Sequence, residues 1–274
     1  MRKIMKNPIY FVHISDSHIG PSTDFESGGR NPYGNLTRLL EAIKALPTRP
    51  DFVMHTGDVA SGRHATLGDP EAYQLASEQF AQLGLPMYYA VGNHDDPSEV
   101  LKMKMGERSS VIEAAEPIVS YSFEFGTERF VVLHSQGPHE EVGAGGKLPE
   151  GQLEFLEQQL ADGTTTTVFL HHCPMDIDSA WFKGRVDMVD GMDLHRMLLP
   201  YRESIRGVFF GHIHRAAQIV RDGIHYCSVG SPYSGLNYWP DETETDVDPD
   251  SPLPYNFITL TDEATIIKEH CLPQ

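Results

Sequence analysis

The stretch IYFVHISDSH, residues 9–18, contains an apolar run that ends in the polar residues Asp16, Ser17 and His18. An apolar run of this length predicts a buried β-strand, which we place at Ile9–Ser15. Side chains two positions apart leave a strand on the same side, so Asp16 and His18 are expected to point into one site. This strand therefore connects the predicted core of the fold to a predicted functional site.

The same pattern, an apolar strand followed by polar residues that can bind a metal, occurs four more times. The further cases are Gly57-Asp58 after FVMHT, Gly92-Asn93-His94-Asp95 after MYYAV, His171-His172 after TVFL, and Gly211-His212-Ile213-His214 after VFF. Each motif alone is weak evidence, because such short motifs are common in turns. Five of them at five strand ends predict one shared site, because α/β folds place their active sites where strands end.

The segments between these motifs predict alternating strands and helices in the first half of the chain. Apolar residues at helical spacing cover Leu36–Leu46, and the pairs Asp69-Pro70 and Asp96-Pro97 are typical helix starts. Further strands are predicted at Phe52–Thr56 and Met87–Val91. This βαβαβα order predicts a parallel sheet covered by helices.

The second half of the chain adds hairpins to this pattern. Strands at Tyr121–Phe125 and Arg129–His134 flank a Gly-Thr turn, and later hairpin turns are expected at Asp222-Gly223 and Asp262-Glu263. The remaining predicted elements are a helix around 153–160, a strand at 166–170, a helix at 192–199 and a strand at 208–210. The predicted fold class is therefore α/β, with two mixed sheets packed as a sandwich and flanked by helices.

We expect a core at residues 1–233, followed at 234–274 by an acidic loop insertion and a C-terminal β-hairpin. These last residues belong to the same domain or form a small cap. Two stretches, 21–34 and 234–254, are predicted to be long loops. The second contains the acidic run DETETDVDPD, which we interpret as a solvated loop, with a lid or a subunit contact as the alternative.

The composition excludes several classes of protein. The 274 residues contain 21 lysines and arginines against 39 aspartates and glutamates, a formal net charge of −18, which argues against nucleic acid polymers and anionic membranes as partners. No apolar run reaches the roughly 18 residues of a membrane helix. Three cysteines are too few, and odd in number, for a disulfide framework, so a reducing cytoplasm is the expected location.

The residue types at the five motifs suit a divalent ion such as Zn²⁺, Mn²⁺ or Fe²⁺. Asp58 could bridge two ions through its two oxygens, and Asn93 offers a neutral oxygen. The glycines before Asp58, Asn93 and His212 are expected to permit the tight turns that bring these ligands inward. Two ions about 3.5–4 Å apart would clamp a phosphoryl group and generate hydroxide near neutral pH.

In this order, the motifs D-x-H, G-D, G-N-H-D, H-H-x-P and G-H-x-H resemble those of the calcineurin-like dinuclear metallophosphoesterases, over nearly the whole chain to about Ser231. GDVASG, GNHDD, HHCP and GHIH look most like the glycerophosphodiesterase and class III cyclic-nucleotide phosphodiesterase branch. The resemblance implies the metallo-dependent phosphatase fold. It also implies a phosphodiesterase that hydrolyses small diesters, of cyclic-nucleotide or glycerophosphodiester type, by attack of a metal-bound hydroxide.

The resemblance further implies two metal ions per site, of Mn, Fe, Zn or Co. The residues implied for the first ion are Asp16, His18, Asp58 and His214. The residues implied for the second ion are Asp58, Asn93, His171 and His212.

Around the metal ions, the resemblance implies that His94 contacts the phosphoryl oxygen and assists the leaving group. Asp95 would orient His94 or its loop. Asn93 and His94 would also bind substrate. We add Asn31, in the loop after His18, as a further substrate-binding residue.

Several alternatives stay open at this point. His172 could replace His171 as the ligand, and we interpret Cys173 and His134 as packed residues rather than ligands. Arg63 and His64 could face the substrate.

Alternative functions are also open. The same site could act on phosphomonoesters, and the same motifs occur in a DNA nuclease, which the acidic composition disfavours. A non-catalytic binding scaffold is the alternative from another class, and a homo-oligomer is left open.

Overall fold

The computed structural model describes residues 7–61, 67–112, 116–248 and 250–273. In this part of the chain two mixed β-sheets pack against each other and helices cover them, as the sequence predicts. Within these described residues, no helix combines the length and the apolar composition needed to cross a lipid bilayer.

The first sheet has five strands and is built around the strand predicted at residues 9–15. β1 (Ile9–Ile14) pairs in parallel with β2 (Phe52–His55), which in turn pairs in parallel with β3 (Met87–Tyr89). On its other side β1 pairs antiparallel with β13 (Leu253–Leu260), and β14 (Thr265–Leu272) forms the edge. The C-terminal hairpin is therefore part of this sheet, and a core boundary at residue 233 would cut through it.

The second sheet has seven strands. In spatial order they are β4 (Ser110–Val111), β5 (Tyr121–Phe125), β6 (Glu128–Val132), β7 (Thr166–Phe169), β8 (Ile205–Phe210), β10 (Ile224–Ser228) and β9 (Gln218–Arg221). The four strands β6, β7, β8 and β10 run parallel, and the outer strands pair antiparallel. All three predicted hairpin turns, at 126–127, 222–223 and 262–263, are present.

Aromatic side chains fill the space between the two sheets. Phe11 in β1 is fully buried, and its ring stacks on that of Phe52 with 4.9 Å between centroids. The same ring meets Phe130, Phe169 and Phe209 of the second sheet edge-on, at 6.0, 5.7 and 5.7 Å. Phe11 therefore joins the sheets, through burial of apolar surface and edge-to-face aromatic contact.

The first three helices begin with a proline, and two of these starts, Pro70 and Pro97, are the predicted ones. The helices are α1 (Pro32–Lys44), α2 (Pro70–Ala81), α3 (Pro97–Lys102), α4 (His139–Val142), α5 (Gln152–Leu160) and α6 (Gly191–Leu198), with a 3₁₀ helix at Leu199–Ser204. α1 begins four residues before the predicted Leu36, because Asn31 caps it and Pro32 takes its first position. Asp96 caps α3 as expected, since its side chain accepts from Ser98 N at 2.8 Å.

The acidic stretch at 234–254 is more ordered than the predicted solvated loop. It contains a two-stranded ribbon in which β11 (Gly235–Asn237) pairs with β12 (Asp246–Asp248). Arg215 holds this ribbon, because its guanidinium donates to Asn237 Oδ1 and, at 3.1 Å, to Asp248 Oδ2. The prediction of an irregular loop is thereby corrected, since a single arginine neutralises part of the acidic run and fixes its strands.

Phe11→Ala tests the joint between the sheets. We expect this substitution to lower the free energy of unfolding by about 3–5 kcal/mol, because it leaves a cavity among four aromatic rings. Urea denaturation followed by circular dichroism measures this change. Ile266→Ala is the control: Ile266 is 42% exposed on β14, and its loss is expected to cost about 0.5 kcal/mol or less. Equal losses for the two variants would contradict the assignment.

Candidate active site

The structure brings the five polar motifs together at the ends of β1, β2, β3, β7 and β8. Adjacent residues in the site come from both sheets, so the site lies where the sheets meet. The predicted ligand residues that lie there are Asp16, His18, Asp58, Asn93, His171, His212 and His214. Most of them are buried, although they are charged or polar.

Five of these residues have a left-handed backbone. They are Asp16, His18, Asp58, His212 and His214, with φ of 55°, 47°, 52°, 69° and 52°. This conformation is uncommon for residues with a Cβ, costs about 1–3 kcal/mol each, and clusters at functional sites. The expectation that the preceding glycines make the turns is corrected: of those three glycines only Gly57 has a positive φ, of 100°.

Gly92 and Gly211 instead allow side chains to lie against the backbone. A Cβ on Gly92 would overlap the carboxylate of Asp58, and a Cβ on Gly211 would overlap that of Asp16. The missing Cβ lets the carboxylate of Asp16 accept a hydrogen bond from His212 N at 3.0 Å. These two glycines therefore fix the positions of the two aspartates.

The first cluster consists of Asp16, His18, Asp58 and His214. Each of these residues has one possible ligand atom that lies within 4.8 Å of the corresponding atoms of the other three. His18 Nε2 is 3.5 Å from Asp58 Oδ2, and His214 Nε2 is 3.4 Å from Asp16 Oδ1. The two Nε2 atoms face each other at 3.1 Å. Two imidazole lone pairs at this distance repel unless a proton or a cation lies between them, so this donor set fits a divalent metal ion.

The second cluster lies on the other side of Asp58. His171 Nε2 is 3.4 Å from Asp58 Oδ2, the same oxygen that faces His18, and 3.3 Å from Asn93 Oδ1. The ring of His212 packs against that of His171 at 5.0 Å. A single carboxylate oxygen therefore stands between two groups of metal-binding atoms.

The two adjacent histidines have different surroundings. His171 faces Asp58, whereas Nδ1 of His172 is 2.9 Å from Ser135 Oγ, and the His172 ring packs against His212 at 4.7 Å. His172 Nε2 is buried and has no hydrogen-bond partner among the described residues. His171 is the one that lies beside Asp58, but ligand atoms of His171, His172 and His212 all lie within 4.8 Å of one another, so the choice of ligand between the two adjacent histidines stays a prediction.

A hydrogen bond at the outer ring nitrogen orients each of the four predicted histidine ligands, and in three of them the partner is a backbone carbonyl. The pairs are His18 with Ser61 Oγ, His171 with Thr56 O, His212 with Val186 O, and His214 with Ser234 O, at 2.6, 2.7, 2.9 and 2.9 Å. A carbonyl can only accept, so the nitrogen bound to it carries a proton and the other nitrogen is left for a metal.

The electrostatics of the site favour bound positive charge. Burial raises the pKa of Asp58, but the imidazoles of His171 and His94 outweigh it and hold that pKa well below its usual range. Burial lowers the pKa of His171, but the carboxylates of Asp58 and Asp16 outweigh it and raise that pKa to about 9. Buried carboxylates that stay ionised among imidazoles are typical of a cation site.

His94 lies at the edge of the clusters, with its ring 5.0 Å from that of His18. Asp95 is fully buried behind it and accepts hydrogen bonds from Val59 N and Gly92 N, both at 3.0 Å. Asp95 therefore ties the loop after β2 to the loop after β3. Asp95 was expected to orient either His94 or its loop, and these contacts agree with orientation of the loop.

Asn31 lies outside the group of residues around the clusters. Its Oδ1 accepts from Gly34 N at 2.5 Å and its Nδ2 donates to Thr23 O at 2.8 Å. The amide of Asn31 is thus engaged as the N-cap of α1, and its role in substrate binding stays a prediction. Arg63 and His64, also considered for substrate contact, lie outside the described residues.

Cys173 and His134 are packed side chains, as expected. The thiol of Cys173 donates to Met175 O at 3.0 Å, and burial raises its pKa to about 12. His134 Nδ1 accepts from Val119 N at 3.2 Å, and burial lowers the pKa of His134 to about 4. Among the described residues, neither belongs to the groups of side chains that could hold a metal ion.

A cavity of about 480 Å³ opens over the two clusters. Its polar lining includes His18, Asp58, Asn93, His94, His212 and His214. Its apolar lining, which the sequence analysis missed, includes Phe25, Trp181, Phe182, Val186, Leu236 and Val247. No regular spacing marks these apolar residues, because they come from separate loops and a short ribbon.

Comparison with known families agrees with this geometry. The model of the calcineurin-like phosphoesterases matches residues 9–216, most of the chain and all of its polar motifs. The chain belongs to this family. The predicted family is therefore confirmed, and the family together with the buried His and Asp cluster supports divalent metal ions as cofactors.

Two relatives with assigned activities resemble the chain. A 3′,5′-cyclic-nucleotide phosphodiesterase of Nostoc sp. is 26% identical over 83% of this chain and 79% of its own length. A cAMP/cGMP dual specificity phosphodiesterase of Mycobacterium tuberculosis is 31% identical over 78% of this chain, which spans 64% of that protein. Among solved structures, a dimetal phosphatase from Danio rerio has the same fold, with a TM-score of 0.67 at 15% identity over 94% of this chain and 98% of its own.

Selective alkylation tests whether Cys173 stays a buried thiol. At pH 8 iodoacetamide is expected to modify Cys271, which is exposed, and to leave Cys173 and Cys227 unmodified in the folded protein. Burial raises the pKa of both inner thiols to about 12, so the reactive thiolate is scarce at that pH. Mass spectrometry of peptides reports each site, and urea-unfolded protein is the control in which all three react. Rapid modification of native Cys173 would contradict this description.

Proposed function

We propose that the protein hydrolyses small phosphodiesters of the 3′,5′-cyclic-nucleotide type with two divalent metal ions. Family membership makes the chain a phosphoester hydrolase, and relatives named as cyclic-nucleotide phosphodiesterases support a phosphodiesterase with this substrate class. The observation that carries the proposal is the position of Asp58 Oδ2, within 3.5 Å of His18 Nε2 and 3.4 Å of His171 Nε2.

The two clusters supply a ligand set for each ion. The first ion would be held by Asp16, His18, Asp58 and His214, and the second by Asp58, Asn93, His171 and His212. When bound, two such ions lower the pKa of water and stabilise the charge that develops during in-line displacement at phosphorus. The ligand types are compatible with Mn, Fe, Zn or Co, all of which stay predictions.

His94 is the side chain that we propose acts on the leaving group. Its backbone N–H donates to Asp58 Oδ1 at 2.8 Å, which fixes its position beside the clusters, and its side chain lines the cavity. As the new P–O bond to water forms and the P–O bond to the ribose oxygen breaks, that oxygen takes a proton. An imidazole at the cavity wall can donate it, and Asn93 lies next to it to contact the phosphoryl group.

The lining of the cavity supports a small diester over other phosphoesters. Among the residues that the structure describes, no lysine or arginine lines it, so bound metal ions would supply the positive charge that meets the phosphate. A diester has one negative charge at neutral pH, whereas a monoester approaches two. The overall charge of −18 acts further against polyanions such as nucleic acids.

The cellular setting is also a proposal. All three cysteines are unpaired, which supports the predicted reducing cytoplasm. A homo-oligomer remains a prediction.

Asp58→Ala tests the shared ligand. We expect the variant to lose at least about 100-fold in metal affinity and to have no measurable phosphodiesterase activity, since both clusters lose an oxygen. Metal content after dialysis, measured by mass spectrometry, and hydrolysis of bis(p-nitrophenyl) phosphate report the two effects. Asp193→Ala, which removes an exposed aspartate from α6, is the matched control. Full activity and metal content in the Asp58 variant would rule out the assignment.

His94→Ala separates proton transfer from metal binding. The expected result is a fall in kcat of about 10²–10⁴-fold with the metal content unchanged, because the ring touches the cavity and is not a proposed ligand. His225→Ala, a half-buried histidine on β10, is the matched control. Loss of metal in the His94 variant, or a kcat close to that of the unsubstituted protein, would refute the role.

A further inference from the structure

Part of the cavity lining has no role in metal binding or in proton transfer. It consists of Phe25 from the loop after β1, Trp181 from the segment after β7, and Leu236 and Val247 from the ribbon of β11 and β12. We call these four side chains the apolar wall. Val247 is 46% exposed, and apolar area left in contact with water is an unfavourable arrangement that a bound apolar group would relieve.

Contacts around Phe25 and Trp181 show that the wall is held in place. The ring of Phe25 lies directly on Gly20, where any Cβ would overlap it. The ring of Trp181 meets Phe182 edge-on at 4.8 Å, and Phe182 in turn meets Tyr238 edge-on at 4.8 Å. The loop after β7 is thereby packed against the end of β11.

Backbone and charged contacts hold the rest of the wall. Ala180 N donates to Pro240 O at 3.0 Å, which joins the segment after β7 to the ribbon. On the other side of the ribbon, Arg30 is buried and donates to Ser251 O at 3.0 Å. The loop after β1, the segment after β7 and the ribbon therefore form one connected surface.

We propose that the apolar wall is the subsite that binds the base of the nucleotide. This proposal rests on the proposed function. A nucleobase is planar with two apolar faces, and aromatic side chains bind such faces by stacking. The glycerol or ethanolamine part of a glycerophosphodiester is neither planar nor apolar and would leave the wall uncovered. The wall therefore favours cyclic nucleotides over glycerophosphodiesters.

Trp181→Ala tests the subsite in the metal-loaded protein. For 3′,5′-cyclic AMP we expect KM to rise about tenfold or more with kcat nearly unchanged, because the base stacks in both ground and transition state. For glycerophosphoethanolamine, which has no base, both constants are expected to stay within about twofold. Trp239→Ala is the matched control, because Trp239 is 65% exposed and does not line the cavity.

A binding measurement makes the test independent of turnover. The chain has two tryptophans, so Trp239→Phe leaves Trp181 as the sole tryptophan fluorophore. Adding adenosine 5′-monophosphate is expected to quench this fluorescence, whereas adding ribose 5-phosphate is not.

The outcomes separate the subsite from the function. Turnover of cyclic AMP with unchanged KM in Trp181→Ala, or no quenching by the nucleotide, would overturn the subsite alone. A larger effect of Trp181→Ala on glycerophosphoethanolamine than on cyclic AMP would overturn it as well. No turnover of cyclic AMP by the unsubstituted, metal-loaded protein would overturn the proposed function, and the fluorescence result would still decide the subsite.

Discussion

The position of the Asp58 carboxylate is the constraint on which the site depends. One of its oxygens faces an imidazole from the end of β1 and another from the end of β7, so it joins the two sheets at the site. The other oxygen is fixed by the backbone of His94, and the absence of a Cβ at Gly92 leaves room for the carboxylate. Because Asp58 itself has a left-handed backbone, the surrounding contacts must compensate for an unfavourable conformation.

Backbone hydrogen bonds also connect the predicted metal-binding histidines to the segments that form the wall of the cavity. The segment after β7 accepts a hydrogen bond from His212 through Val186 O, and Ser234 O, next to the ribbon, accepts one from His214. These two carbonyls belong to the segments that also carry Trp181 and Leu236. The same two segments therefore position two of the predicted ligand rings by their backbone and line the cavity by their side chains.

Sequence patterns predicted those parts of the molecule whose conformation is determined by residues close together in the sequence. Apolar runs located the central strands, and Asp58, His171 and their partners were found because strand ends meet at one edge of a sheet. The left-handed backbone of five predicted ligand residues was not predicted, because glycine is the usual signal for it and here Asp and His adopt it. The apolar wall and the ribbon were missed for another reason. Their positions depend on contacts between distant segments, such as Arg215 with Asp248, that no local pattern records.

The pairing of β1 with β13 has a consequence for how the protein is made. His13 in β1 lies opposite Asn256, and the backbone oxygen of Asp16 accepts from Ser231 Oγ. During translation at about 5–20 residues per second, β1 would leave the ribosome some tens of seconds before these partners exist. Throughout that interval an apolar strand has one side unpaired and the first metal cluster lacks His214. The first cluster is therefore complete only after His214 has been synthesised, so a metal ion that needs all four of its side chains could bind only after that point.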